Sequence, residues 1–98
     1  MAKQIVWTKR ANAKFNSIID YLQQEWGGNV TRNFILKTYT IIELISDQPD
    51  VGVLENKEKN IRGFLITKHN RLFYRVTDKG ILLLNLFDTG SGQKKKKF

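Results

Sequence analysis

The stretch IRGFLITKHNRLFYRVTDKGILLLNLF, residues 61–87, decides the fold of this 98-residue chain. It contains three segments rich in β-branched and aromatic residues, which are 61–67, 71–77 and 81–87. Short polar gaps separate them: Lys68-His69-Asn70 is typical of a turn, and we expect Gly80 to supply a positive φ in the next one. The pattern predicts three consecutive antiparallel strands.

Two helices are predicted upstream of these strands. Apolar residues recur at helical spacing in the first, namely Ala11, Phe15, Ile18, Ile19, Leu22 and Trp26. Thr8 and Asn12 are both candidates for its N-cap, and Gly27-Gly28 is expected to end it. The second helix runs from Val30 to Ser46 and stops before Pro49, which cannot supply the next amide donor. Because so few residues join the helices, they must form an antiparallel hairpin.

The remaining segments complete an α+β domain. Lys3 to Thr8 alternates and reads as a first strand, whereas the polar, lysine-rich stretch 51–60 is a loop or a weak strand. The predicted order is therefore β-α-α-β-β-β, with the helical hairpin packed on a small antiparallel sheet. We expect one domain over residues 1–89 and a flexible basic tail over residues 90–98.

Composition excludes several classes of function. The net charge is 17 minus 9, or +8, and Lys94 to Lys97 contribute four of these charges, so residues 1–93 carry only +4. Cys is absent and there is one His, so disulfides, metal sites and cofactors are not expected. No apolar run approaches the ~20 residues that span a bilayer, and no signal-peptide pattern precedes Ile5. We expect a cytoplasmic protein.

The strand pattern and its residues resemble the RelE/ParE superfamily of toxins from bacterial type II toxin–antitoxin modules. Residues 68–76, KHNRLFYRV, look like the family's Arg-apolar-apolar-Tyr-Arg-Val strand, and residues 79–87 look like the strand that follows it. The resemblance covers residues 3–89. It implies one of two activities: RelE-like members cut mRNA in the ribosomal A site without a metal, and ParE-like members poison DNA gyrase. Both kinds are neutralised by an antitoxin.

The resemblance also implies candidate catalytic residues. Metal-free cleavage needs a base, an acid and fixed positive charge at the phosphate. Arg71 and Arg62 are the candidates for the charge, and we expect them to converge beside a shared concavity when the hairpin closes. Glu55 is the candidate base. Tyr74 is a candidate too, although strand alternation places it with Leu72 in the core, as a tyrosine with a bonded hydroxyl.

Further cations are candidates for binding nucleic acid. These are Arg75, Lys68, His69, Lys57 and Lys59. A surface arginine and a turn histidine also have an ordinary explanation as solvated side chains. The general acid is unassigned, because Gly90 occupies the position where RNA-cutting relatives place a basic residue, Tyr or His.

Three hypotheses follow. The strand from Arg71 to Tyr74 looks closer to the RNA-cutting branch, so we expect a ribosome-dependent mRNA endonuclease. The alternatives are a gyrase poison that uses the same fold as a binding surface, which the missing acid after the last strand favours, and a degenerate basic module. In the first two cases we expect a cognate antitoxin with an acidic segment as partner, because an open sheet with basic residues invites such a segment. The other partner is ribosome and mRNA in the first case, and gyrase in the second.

Overall fold

The computed structural model describes residues 3–88, so the expected tail over residues 90–98 lies outside the described residues. The elements are β1 (Ile5–Trp7), α1 (Lys9–Trp26), α2 (Gly28–Asp47), a 3-10 turn (Pro49–Val51), β2 (Val53–Asn56), β3 (Ile61–Thr67), β4 (Asn70–Val76) and β5 (Ile81–Asp88). The α+β class is confirmed. The ambiguous stretch 51–60 contains the short strand β2, which raises the number of strands in the described part of the chain to five.

The five strands form one sheet in the order β1-β5-β4-β3-β2. Strands β2 to β5 are antiparallel, as expected. The prediction of an antiparallel sheet is wrong for β1, which pairs with β5 in parallel, Ile5 opposite Ile81. The two helices follow β1 in the chain, and the first strand, β1, lies beside the last strand, β5, in the sheet.

The helical hairpin is joined by a single residue, Gly27. Thr8 caps α1, because its hydroxyl oxygen accepts from the Ala11 amide at 3.1 Å. Gly27 has φ of +85°, which favours glycine, and its carbonyl oxygen accepts from the Thr31 amide at 3.2 Å. Helix α2 therefore starts at Gly28 and not at Val30.

The core lies between the helical hairpin and one face of the sheet. Its fully buried sheet residues are Ile66, Leu72, Tyr74, Ile81, Leu83 and Leu86, and the helices contribute Ala11, Phe15, Phe34, Ile41, Ile42 and Ile45. Burying a large apolar side chain contributes roughly 1.5–3 kcal/mol, so this layer is the main source of stability. We call the other side of the sheet the open face, because no helix of residues 3–88 covers it.

Gly80 is required for a different reason from the one expected. It has no positive φ. A Cβ at this position would lie 2.5 Å from the carbonyl oxygen of Gln4, just before β1. Glycine thus allows the close approach of the first and last strands.

Within residues 3–88, neither α-helix is both long enough and apolar enough to cross a membrane.

Candidate functional site

The centre of the open face is occupied by Arg71 on β4. Arg71 pairs with Leu65 of β3, and Phe73 pairs with Gly63. Since alternate residues of a strand point to the same face, Arg71, Phe73 and Arg75 share the open face, as expected for these three. Arg75 is exposed to solvent.

Arg71 forms an ion pair with Glu55. Its Nη1 donates to Glu55 Oε2 at 2.9 Å, and the two side chains are only 26% and 18% exposed. A hydrogen bond between charged groups at this distance is stronger than a neutral one. The structure thus brings together two of the four candidate catalytic residues, the cation and the carboxylate.

Gly63 makes room for this pair. A Cβ at Gly63 would lie 3.0 Å from Phe73 Cε1, 3.2 Å from Arg71 Cδ and 3.3 Å from Glu55 Oε2. The missing side chain leaves space for an aromatic ring, an arginine stem and a carboxylate. Gly63 was not a sequence candidate, although a glycine inside a strand is a signal for such a close approach.

An aromatic pair lies beside the ion pair. The rings of Phe73 and Phe87 are 5.2 Å apart and nearly perpendicular, which is a favourable edge-to-face arrangement. Phe73 is fully buried although it belongs to the open face. The site is therefore a partly buried charge pair next to a rigid apolar support.

The expected convergence of Arg62 and Arg71 is wrong. Arg62 pairs with Tyr74, which points into the core, whereas Arg71 is on the opposite face of the sheet. Arg62 Nη1 donates to the carbonyl oxygens of Gly52 at 2.9 Å and Asp50 at 3.2 Å, and Nη2 lies 3.6 Å from the Asp50 carboxylate. The two guanidinium groups share no concavity, because strand register puts them on different sides.

Tyr74 is a core residue with a bonded hydroxyl, as its position in the strand predicts. It is fully buried, donates to the Pro49 carbonyl oxygen at 2.8 Å and accepts from the Gly52 amide at 2.9 Å. Burial raises the pKa of the Tyr74 phenol, although the hydrogen bond from Gly52 and the charge of Arg62 act in the opposite direction. Its hydroxyl faces away from Arg71.

The other cationic candidates are scattered. Lys57 and Lys59 are exposed in the β2–β3 turn. Lys68 and His69 are exposed in the β3–β4 turn, at the opposite end of β3. His69 lines a cleft of about 850 Å³ between this turn and the helices. The structure does not gather these residues around Arg71.

The same cleft contains Trp26, the last residue of the apolar stripe that the sequence predicts for the first helix. Trp26 is 65% exposed and lines the cleft with Tyr21 and Val30. Trp26 is the last residue of α1, so it lies at the end of the stripe, where the helix stops. Lys14 and Lys37 lie at the same cleft.

Metal chemistry has no visible centre in the described range: residues 3–88 bring no three His, Asp or Glu side chains close enough to hold an ion.

Comparison with solved structures identifies the fold. The chain is similar to a structure of the chromosomal ParDE TA system from P. aeruginosa, with a TM-score of 0.73 and 17% identity over 89% of this chain and 96% of that one. It is similar to the YoeB dimer from Staphylococcus aureus, with a TM-score of 0.63 and 17% identity over 89% and 97%. It is also similar to a YoeB/ParE toxin from Agrobacterium tumefaciens, with a TM-score of 0.59 and 17% identity over 87% of this chain and 96% of that one.

The sequence itself places the chain more closely. No curated protein matches it. The family model described as the ParE toxin of the type II toxin–antitoxin system, parDE, matches residues 5–92, which is most of the chain. The resemblance to the RelE/ParE superfamily is thereby confirmed, and the chain belongs to the ParE toxin family of type II toxin–antitoxin systems.

Proposed function

We propose that this toxin acts by binding DNA gyrase through its open face and not by cutting RNA. The superfamily resemblance supplies the target, because ParE-like members poison gyrase. The separation of Arg62 and Tyr74 from Arg71 by the sheet carries the proposal. A metal-free nuclease needs acid, base and positive charge around one phosphate. This proposal places the protein in the cytoplasm, together with gyrase.

The composition of the open face supports a binding surface. The exposed side chains of Arg75, Leu65 and Val53 lie around the Arg71–Glu55 pair. Arginine is enriched in protein interfaces, and their buried centre is more apolar than the rest of the surface. Within residues 3–88, His69 lies in the β3–β4 turn, and all tyrosines are in the helices or the core. The open face of that range therefore offers no histidine or tyrosine as an acid.

A supercoiling assay with purified gyrase tests the proposal. Wild-type toxin should inhibit supercoiling, and Arg75→Glu should raise the half-inhibitory concentration by about tenfold, because charge reversal at an interface slows association and adds repulsion. Lys9→Glu makes the same charge change at an exposed position of α1 and is the matched control. A wild-type toxin without effect on gyrase at micromolar concentration would refute the proposal.

A second candidate function, ribosome-dependent mRNA cleavage, is favoured by the Arg71–Glu55 pair alone. Glu55 would take the proton of the 2′-hydroxyl, and the resulting oxygen would attack phosphorus and displace the 5′-oxygen. Arg71 would stabilise the negative charge that develops on the phosphoryl oxygens. The 2.9 Å contact supports these roles, because it holds a carboxylate and a guanidinium in one site.

Primer extension on translated mRNA separates the two functions. Cuts at codon positions that disappear in Glu55→Gln would support cleavage, since the amide cannot accept the proton and has nearly the same shape. Absence of cuts, together with inhibition of gyrase by the same protein, supports the first proposal. Arg71→Ala should abolish cutting under the second function while leaving the fold intact.

Membership of the family implies a cognate antitoxin, and we propose that it binds through an acidic segment. The support is the basic excess of residues 1–93 and the outer edges of β1 and β2, which pair with no further strand within residues 3–88. Co-expression with the neighbouring gene should give a complex that weakens as salt rises. A complex insensitive to salt would contradict an acidic contact.

A further inference from the structure

The loop between α2 and β2 is held by two side chains of the sheet. Tyr74 contacts it at the Pro49 carbonyl oxygen, 2.8 Å, and at the Gly52 amide, 2.9 Å. Arg62 Nη1 donates to the carbonyl oxygens of Asp50 and Gly52. We call Arg62 and Tyr74 the loop clamp. Four hydrogen bonds to backbone atoms fix residues 49–52 against the helix-facing side of the sheet.

The clamp is built at close range. A Cβ at Gly52 would lie 2.6 Å from the Tyr74 hydroxyl and 2.9 Å from the Gly63 carbonyl oxygen, so the loop touches the sheet directly. Arg62 Nε is buried and makes no hydrogen bond within the described part of the chain. A buried donor without a hydrogen-bond partner is costly. The guanidinium nevertheless keeps this orientation, in which its Nη1 bonds to the loop carbonyls.

The strand that follows the loop, β2, is paired on one side only within residues 3–88. β2 is at the edge of the sheet and pairs with β3 at three positions, with an irregularity between Leu54 and Asn56. Glu55 lies within that irregularity, three residues after Gly52. The clamp thus constrains the N-terminal end of the strand that delivers Glu55 to Arg71.

We propose that Arg62 and Tyr74 are positioning residues for the open face: by fixing residues 49–52 they set the place of Glu55, and hence how much of the Arg71 charge is available to a partner. The clamp acts through the sheet, from the face that carries the helices to the face that does not. When β2 is loosened, Glu55 leaves Arg71, and the rigid charge pair is replaced by a free guanidinium. The consequence for gyrase rests on the proposed function, but the positioning itself does not.

Amide hydrogen exchange on Tyr74→Phe tests the positioning. This variant removes one hydroxyl and keeps the ring, so residues 52–56 should exchange at least about tenfold faster while β4 and β5 are unchanged. The Arg71 Nε–H resonance should shift toward its position in Glu55→Gln. Tyr21→Phe removes the hydroxyl of an exposed helical tyrosine and should change neither.

Two outcomes would overturn the inference. One is exchange of residues 52–56 within about twofold of wild type, and the other is a uniform increase in all strands, which indicates a general loss of stability. Arg62→Lys gives the same test if Tyr74→Phe does not fold, because one ammonium cannot hold both carbonyls as a guanidinium does. It should then accelerate exchange of residues 52–56 alone.

Inhibition of gyrase gives a separate measurement. Tyr74→Phe should raise the half-inhibitory concentration by about threefold or more, since a loosened site must be ordered on binding, and Tyr21→Phe should not. A wild-type protein that does not inhibit gyrase defeats the proposed function but leaves the exchange result decisive. If the wild-type protein inhibits gyrase but residues 52–56 exchange at the wild-type rate in both Tyr74→Phe and Arg62→Lys, the positioning inference is wrong and the proposed function stands.

Discussion

Substituting alanine for Gly52 introduces a methyl group where the loop touches the sheet. The backbone at Gly52, φ −75° and ψ 159°, suits any residue, so the effect comes from contacts alone. The new Cβ would meet the Tyr74 hydroxyl at 2.6 Å, Tyr74 Cε1 at 2.9 Å and the Gly63 carbonyl oxygen at 2.9 Å. A rigid ring and a backbone atom cannot move aside as a flexible side chain would.

The magnitude follows from three contributions. Overpacking of this kind costs ~1–3 kcal/mol, and weakening the hydrogen bond from the Gly52 amide costs about 1 kcal/mol. The lower entropy of the unfolded alanine chain offsets ~0.4–1 kcal/mol. We expect the free energy of unfolding to fall by roughly 1–4 kcal/mol, which lowers Tm by roughly 5–25 °C in a domain of this size.

Thermal and urea unfolding followed by circular dichroism measures the effect. Gly28→Ala is the matched control, because a Cβ at Gly28 meets nothing within 4 Å and the residue lies in α2. The control should gain up to about 1 kcal/mol. If Gly52→Ala unfolds within about 0.5 kcal/mol of wild type, the loop yields easily and the close approach does not hold it.

Three further predictions concern the cap, the core and alkaline pH. Thr8→Ala should cost about 1–2 kcal/mol in urea unfolding, because its hydroxyl accepts from the Ala11 amide and donates to the Leu83 carbonyl oxygen at 2.7 Å; an unchanged midpoint would exclude a capping role. Leu72→Ala should cost ~2–5 kcal/mol, because the side chain is fully buried, and a loss below about 1 kcal/mol would mean that the core collapses around it. Burial raises the pKa of Tyr74, so the native state keeps the phenol proton at a pH where the unfolded state has lost it. The resulting contribution to the free energy of unfolding is therefore complete below about pH 10 and declines above it. Tm should therefore fall more steeply with rising pH in wild type than in Tyr74→Phe, and parallel curves would contradict the buried phenol.

Much of the fold was predictable because its signals are local. The strands at 61–67, 70–76 and 81–88 lie within one residue of the segments expected from their composition, and Thr8 and the glycine pair mark the ends of α1. Strand β2 was ambiguous because it is four residues long, paired on one side only and followed by a charged turn. An edge strand leaves a weak pattern, since neither of its faces needs to be fully apolar.

The site was less predictable because it depends on pairing between strands. Alternation within β4 is enough to place Tyr74 in the core and Arg71 on the open face. The face of Arg62 depends on register, which is set by the length of the 68–69 turn and by the irregularity between Leu65 and Thr67. A shift of one residue reverses the face of every side chain in a strand. No pattern within β3 contains that information.

The parallel pairing of β1 with β5 affects how the protein folds during its synthesis on the ribosome. Ile5 finds its strand partner only when Ile81 has been synthesised and has left the exit tunnel. Until then the apolar side chains of both helices lack the strand that closes the sheet beneath them. Such long-range pairing slows folding, and during synthesis the toxin therefore remains incomplete, and open to chaperones or to an early partner, for nearly the whole time of translation.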